Sequence, residues 1–187
     1  MNYEPKNGFV IGEIACGHEG KLDRLYKLID VVSESGAQSV KFQIYKTHER
    51  ALPNTKEWSL FGGWELSDDD WIYATSYARG KNLLVFSDVY GKDSLELTDE
   101  LDVDGYKIHS EDVLNSYFIL DVLQRNKTTL ISVGGAKRTE INDLLTFLSD
   151  NHSLENVILM TGVQTFPTPI EGHSIEEVTD LIEKYSH

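Results

Sequence analysis

Six times in 187 residues a short apolar run suited to a β-strand is followed by apolar residues at helical spacing. The strand runs are Phe9–Ala15, Gln38–Ile44, Leu83–Ser87, the stretch beginning Gly105-Tyr106-Lys107-Ile108, Thr128–Val133 and Val157–Thr161. Between them Leu22, Leu25, Leu28, Ile29 and Val32 mark one helix, stopped by Gly36. Ser67, with Asp70 three positions on, opens another ahead of Trp71, Ile72, Ala74 and Tyr77. Further helices are read from about Asp93 to Leu101, from Leu114 to Gln124, through Ile141, Leu144, Leu145 and Leu148, and from Ser174 to Tyr185. Strict alternation of this kind predicts a mostly parallel sheet with helices outside it, in a single domain spanning 1–187.

An open doubly wound sheet and a β/α barrel both satisfy that pattern, and the polar residues choose between them. Glu13, Lys41 with Gln43, Ser87 with Asp88, Lys107 with Ser110, Ser132 and Gln164 all lie within or just past the C-terminal half of their strands. An open sheet needs such residues only beside its switch point, whereas in a barrel every strand end faces one central site. The expected fold class is therefore α/β, a TIM-type β/α barrel, incomplete, with six of eight β/α units present.

A lysine inside an apolar strand is costly unless something anionic meets it. Lys41 and Lys107 are two such lysines, on comparable strands. They predict a phosphate or carboxylate held with the help of Ser110, Ser132 and the backbone amides of Gly134-Gly135. A Schiff-base role is the competing chemistry, and nothing local singles out either lysine for it. Glu13, if buried and unpaired, would suit acid–base work near neutral pH; alternatively it pairs with Lys41 on the neighbouring strand. Asp112 is either a second carboxylate or a helix N-cap. His18, in the glycine-flanked loop Cys16–Gly20, is a candidate substrate contact. His48, His152, His173 and His187 have no partners at metal-ligand spacing. The polar connection from Tyr45 to Glu65 is long enough to be a substrate cover.

Composition bounds the partners. Seventeen basic against 31 acidic side chains give a net charge of -14, which argues against nucleic acid or an anionic membrane surface. No run of about 18 apolar residues and no signal-peptide pattern is present. The single cysteine, Cys16, cannot form an internal disulfide; a reducing, cytoplasmic setting is expected.

Glu13-Ile14-Ala15-Cys16-Gly17-His18-Glu19-Gly20 resembles E-I-G-x-N-H-x-G of the sialic acid synthase (N-acetylneuraminate synthase) family. Val40-Lys41-Phe42-Gln43 is similar to its V-K-F-Q, and Tyr106–Asp112 to Y-K-I-G-S-G-[DE]. Ser132–Gly135 resembles S-T-G-M, and Phe166-Pro167-Thr168-Pro169 resembles Y-P-T-P. The start of the helix at Glu65–Trp71 is similar as well, so the likeness runs along nearly the whole chain.

The resemblance implies an enzyme that condenses phosphoenolpyruvate with an N-acetylated amino sugar aldehyde of the N-acetylmannosamine type, giving a nine-carbon 2-keto sugar acid. It implies that Lys41, Lys107, Ser110 and Ser132 hold phosphoenolpyruvate and that Glu13 is the acid–base carboxylate. Asp112 and Gln43 would orient substrates, and Gln164 and His18 would contact them. A divalent metal, Mn or Mg, is implied too, through histidines of a seventh and an eighth unit that are not in this chain. The antifreeze-like C-terminal domain is likewise outside it, so the chain reads as an N-terminal portion of a longer enzyme or one piece of a split one. A homodimer or a complementing chain is expected to cover the open barrel edge.

Several residues depart from the family pattern. Asp88 stands where the family has a phosphate-binding threonine, and Gly17 replaces an asparagine. His109 and Glu111 replace glycines, and Phe166 a tyrosine. Synthases of legionaminic, pseudaminic or spore-coat sugars, and a non-catalytic phosphate-binding remnant of the fold, are the alternatives.

Overall fold

A computed structural model describes residues 8–165, 167–170 and 175–185. Phe166, His173 and His187, discussed above, lie outside the described residues. The chain divides into two compact units, Met1–Tyr106 and Lys107–His187, taken here in turn. The strands follow one another in the order β1-β2-β3-β4-β5-β6.

Unit one begins with β1 (Ile11–Ala15), α1 (Leu22–Glu34) and β2 (Ser39–Gln43). Leu25, Ile29 and Val32 form the buried stripe of α1, three of the five positions that its periodicity marked. β2 pairs in parallel with β1 on one side and with β3 (Leu84–Val89) on the other. Flanked twice, β2 is buried through its first four residues, and β3 through its last five. β1, expected to be buried on both faces, has only Ile14 buried, because a terminal strand has a neighbour on one side alone.

The connection from Tyr45 to Glu65 is not the irregular cover expected of it. It folds into two short helices, α2 (Thr47–Arg50) and α3 (Lys56–Trp64). The Glu65 carboxylate fastens it, accepting from the Thr47 N–H at 2.7 Å and the Thr47 hydroxyl at 2.5 Å. α4 (Asp68–Gly80) starts at the capping box read from the sequence: Ser67 Oγ accepts from Asp70 N–H at 3.2 Å, and Asp70 Oδ2 accepts from Ser67 N–H at 3.1 Å. Its inner face buries Trp71, Ala74, Thr75 and Ala78. α5 (Lys92–Glu100) follows β3.

β4 (Gly105–Ile108) lies at the boundary between the units. Unit two continues through a 3-10 turn at Ser110–Asp112, α6 (Ser116–Leu123) and β5 (Thr128–Ser132). It ends with α7 (Arg138–Asn151), β6 (Val157–Met160) and α8 (Ile175–Tyr185). β5 and β6 pair in parallel, Ser132 opposite Met160. Ile141, Leu144 and Leu148 bury the inner face of α7. No helix among the described residues is long and apolar enough to cross a membrane.

Candidate active site

In unit one the parallel register sets Glu13 beside Lys41, and Gln43 beside Asp88. Lys41 is 5% exposed, and its Nζ is ion-paired with both the Glu13 and the Asp88 carboxylates. Asp88 is completely buried. β3 runs two residues past the strand read from the sequence, so Asp88 belongs to the strand itself and not to the loop after it. A buried ammonium would cost several kcal/mol unpaired, and the two carboxylates offset that cost.

Glu13 is neither buried nor unpaired. Its side chain is 45% exposed, and besides pairing with Lys41 it accepts from the Ala15 N–H at 2.9 Å through Oε1. That second bond closes the irregularity between Glu13 and Ala15 in the β1–β2 pairing, where Ala15 takes a left-handed φ of 50°. The other sequence reading, a pair with Lys41, is the one observed.

His18 also departs from expectation. Its imidazole is fully buried, with Nδ1 accepting from Gly20 N–H at 3.1 Å and the ring edge-on to Trp71 at 5.6 Å. Burial, with a smaller contribution from the Arg24 charge, lowers its pKa. Nε2 is buried with no hydrogen-bond partner. The loop turns this histidine inward because the apolar face of α4 offers it an aromatic partner, so it presents no surface to a ligand.

Beyond the ends of β1, β2 and β3 lies a group of which the sequence reading names only Gln43 as a site residue. Cys16 Sγ donates to Gln43 Oε1 at 3.3 Å, and Tyr45 Oη donates to the Phe61 carbonyl at 3.1 Å. Burial above all raises the pKa of the Cys16 thiol and of the Tyr45 and Tyr90 phenols. The guanidinium of Arg50 packs on the rings of Tyr90 at 4.1 Å, Phe61 at 4.6 Å and Tyr45 at 5.9 Å. Its Nε and Nη1 are buried and make no hydrogen bond. Ring contacts worth roughly 0.5–2 kcal/mol each offset unpaired N–H groups that cost roughly 1–3 kcal/mol apiece. The only trace in the sequence is an arginine amid the aromatics of the segment from Tyr45 to Glu65.

His48, Glu49 and Asp93 bring their ligand atoms within 4.8 Å of one another. Spacing along the chain gave no sign of this, since Asp93 comes from α5. The cluster has a structural use. Glu49 accepts from Lys46 N–H at 3.2 Å and from Ser94 N–H at 3.1 Å, tying α2 to the start of α5, and His48 lies 3.1 Å from Asp93. A side chain at Gly91 would strike the Glu49 carboxylate.

In unit two Ser110 Oγ donates to Gln164 Oε1 at 2.7 Å, joining two predicted site residues that are 54 positions apart. Gly134 sits against them: a Cβ there would meet the Gly162 carbonyl and Gln164 Nε2. Ser132 closes β5, and Val133 N–H donates to the Met160 carbonyl at 2.8 Å, so the ends of β5 and β6 are tied at the same level. Lys107 is half-buried in β4. Asp112 ends the 3-10 turn; the N-cap of α6 is Asn115, so the capping alternative for Asp112 does not hold.

Comparison with known proteins follows the same lines. The model of the NeuB family matches residues 28–187. The chain is 26% identical over 197 residues to the pseudaminic acid synthase of Campylobacter jejuni, covering 97% of this chain and 57% of that protein. It is 24% identical over 191 residues to the N,N'-diacetyllegionaminic acid synthase of the same species, covering 94% and 57%. The N-acetylneuraminic acid synthetase of Leptospira borgpetersenii, solved with citrate, matches with a TM-score of 0.88 at 24% identity, over 95% of this chain and 61% of that one. A 3-deoxy-D-arabino-heptulosonate 7-phosphate synthase of Thermotoga maritima matches at 0.67 and 18%. These likenesses establish the fold as an α/β barrel of which this chain supplies six β/α units. The chain spans somewhat over half the length of the curated relatives it matches.

Proposed function

From its membership of the NeuB family, to which this chain belongs, we propose that it carries the barrel portion of a sialic-acid-synthase-like sugar acid synthase, condensing phosphoenolpyruvate with an N-acetylated amino sugar aldehyde. In that reaction C3 of phosphoenolpyruvate forms a bond to the aldehyde carbon, whose oxygen takes up a proton. Water adds at C2, phosphate departs, and the carbon–oxygen bond that held it breaks to leave the 2-keto acid.

In unit two, Lys107, Ser110 and Ser132 are read as holding phosphoenolpyruvate, Lys107 by its charge, with Gln164 directed to the sugar. In unit one, Glu13 moves the proton, partly exposed and so within reach of a substrate, and Gln43 orients it; Asp112 has the same orienting role in unit two. The observation that carries this reading is the pairing of Ser110 with Gln164 against Gly134, predicted site positions from three separate segments gathered past strand ends of one unit.

The divalent metal implied by the family would polarise the sugar aldehyde as a Lewis acid. The described residues do not fit it. Among the described residues the one cluster of ligand atoms is His48, Glu49 and Asp93, and Glu49 there is already occupied by two backbone N–H groups.

The test is phosphate release from phosphoenolpyruvate with N-acetylmannosamine, and with the amino sugars leading to legionaminic and pseudaminic acids, with and without manganese. Release that requires both substrates supports the proposal, and the preferred sugar assigns the product. The second reading, a phosphate-binding remnant without catalysis, is favoured by the occupation of Lys41 by two carboxylates. Phosphoenolpyruvate binding with no release under any of these conditions would establish it in place of the first.

A further inference from the structure

The sequence places the ligand's negative charge at Lys41, yet protein carboxylates already meet it. Arg50 is the opposite case. It has no ion-pair partner among the described residues, although two of its three nitrogens are out of reach of water. A guanidinium retains its charge at any ordinary pH, so burying it without an anion must be made good by something else. The rings of Tyr45, Phe61 and Tyr90 do so in part, by contact with the face of the cation. They leave its N–H edge unmatched.

The neighbours cannot supply the charge. Cys16, Tyr45 and Tyr90 are kept protonated by burial, and the nearby carboxylates Glu13 and Asp88 are turned to Lys41. The place is informative too. Tyr45 follows β2 closely, Tyr90 comes directly after β3, and Cys16 directly after β1. In a barrel this is the end where ligands bind. Arg50 is partly exposed as a residue, so an approach to the remaining nitrogen, Nη2, stays open.

We propose that Arg50, held flat by Tyr90 and Phe61, is an anchoring residue for the oxyanion of a small acidic ligand, a carboxylate or a phosphate, at the strand ends of unit one. Guanidinium N–H donors suit either group, and three aromatic walls fix the fork, with Nη2 as its open donor, before the ligand arrives. The assignment rests on the family resemblance, which reads Lys41, at these strand ends, as one of the residues that hold phosphoenolpyruvate. It adds a residue, outside the quoted motifs, that takes over anion binding where Asp88 has neutralised Lys41.

Titration calorimetry of the 187-residue chain with pyruvate, inorganic phosphate and phosphoenolpyruvate tests it, in parallel with Arg50→Met and Arg50→Lys. The wild-type chain is expected to bind pyruvate or phosphate, and Arg50→Met to weaken that binding about tenfold or more. Arg50→Lys keeps the charge without the fork, so it should fall between the two and report even if the methionine variant folds poorly. Loss with pyruvate alone assigns the carboxylate, loss with phosphate alone the phosphate, and loss with both a shared oxyanion site. Unchanged affinity in both variants, or no binding of any of the three by the wild type, overturns the proposal. The condensation assay separates it from the function it rests on. Arg50-dependent pyruvate binding without condensation leaves Arg50 standing and the condensation reading refuted, whereas condensation unaltered in both variants does the reverse.

Discussion

Lys41 concentrates the electrostatics of unit one in a single ammonium group, buried between two carboxylates. Removing it by Lys41→Met strands the fully buried Asp88, and about 3–5 kcal/mol of stability should be lost in urea unfolding. In Lys41→Met/Asp88→Asn much of that loss should return, because no buried charge is left without a partner. Two equally destabilised variants would show that the pair contributes packing and not charge. Asp88→Thr frees Lys41 of one of its anions, so phosphoenolpyruvate should bind about tenfold tighter by calorimetry, a change of about 1.4 kcal/mol. Unchanged affinity would place the phosphate away from Lys41. His18 gives a pH dependence. Burial lowers its pKa in the folded chain, so the unfolded chain protonates first. Stability from this group is complete above its ordinary value of about 6.5 and is lost as the pH falls through that value toward the lower folded one. His18→Phe should therefore reduce the drop in urea midpoint between about pH 7.5 and about pH 5.5; an identical drop would assign it to other groups.

At the scale of elements, the strands bring the chemistry into register and the turns after them decide which groups meet. Gly134 shows this in unit two. Gly134→Ala would drive a methyl group into the Gly162 carbonyl and the Gln164 side chain, separating the ends of β5 and β6. The expected cost is about 1–3 kcal/mol, with weaker phosphoenolpyruvate binding as the Ser110–Gln164 bond opens. Full stability and unchanged binding together would mean that the two segments part without consequence. The segment from Tyr45 to Glu65 teaches a second lesson. Its low helical periodicity hid α2 and α3, since α3 has no buried residue to mark a stripe. Side-chain bonds from Glu65 and Glu49 hold this region, and such bonds leave no periodic trace in a sequence. The capping box of α4 and the stripes of α1 and α7 were legible because they arise from residues three or four positions apart.

For the molecule as a whole, the net charge of -14 sets a long-range field that opposes any anionic substrate. Raising the ionic strength from about 0.01 M to about 0.15 M shortens the screening length from about 30 Å to about 8 Å. The association rate of phosphoenolpyruvate, followed by stopped flow, should therefore rise; a fall would show that local cations dominate the approach. The alternation of strand and helix runs, together with a polar residue at every strand end, determined the fold class by itself, because periodicity and strand polarity are local properties of the chain. The motifs likewise carried the family. Only the tertiary structure decided that Lys41 is already matched by Asp88, that His18 faces inward, and that Arg50 is a half-buried cation with no ion-pair partner among the described residues. Those outcomes turn on which side chains, tens of residues apart, come within a few ångströms, and the energy of a charge depends on that company far more than on its neighbours in sequence.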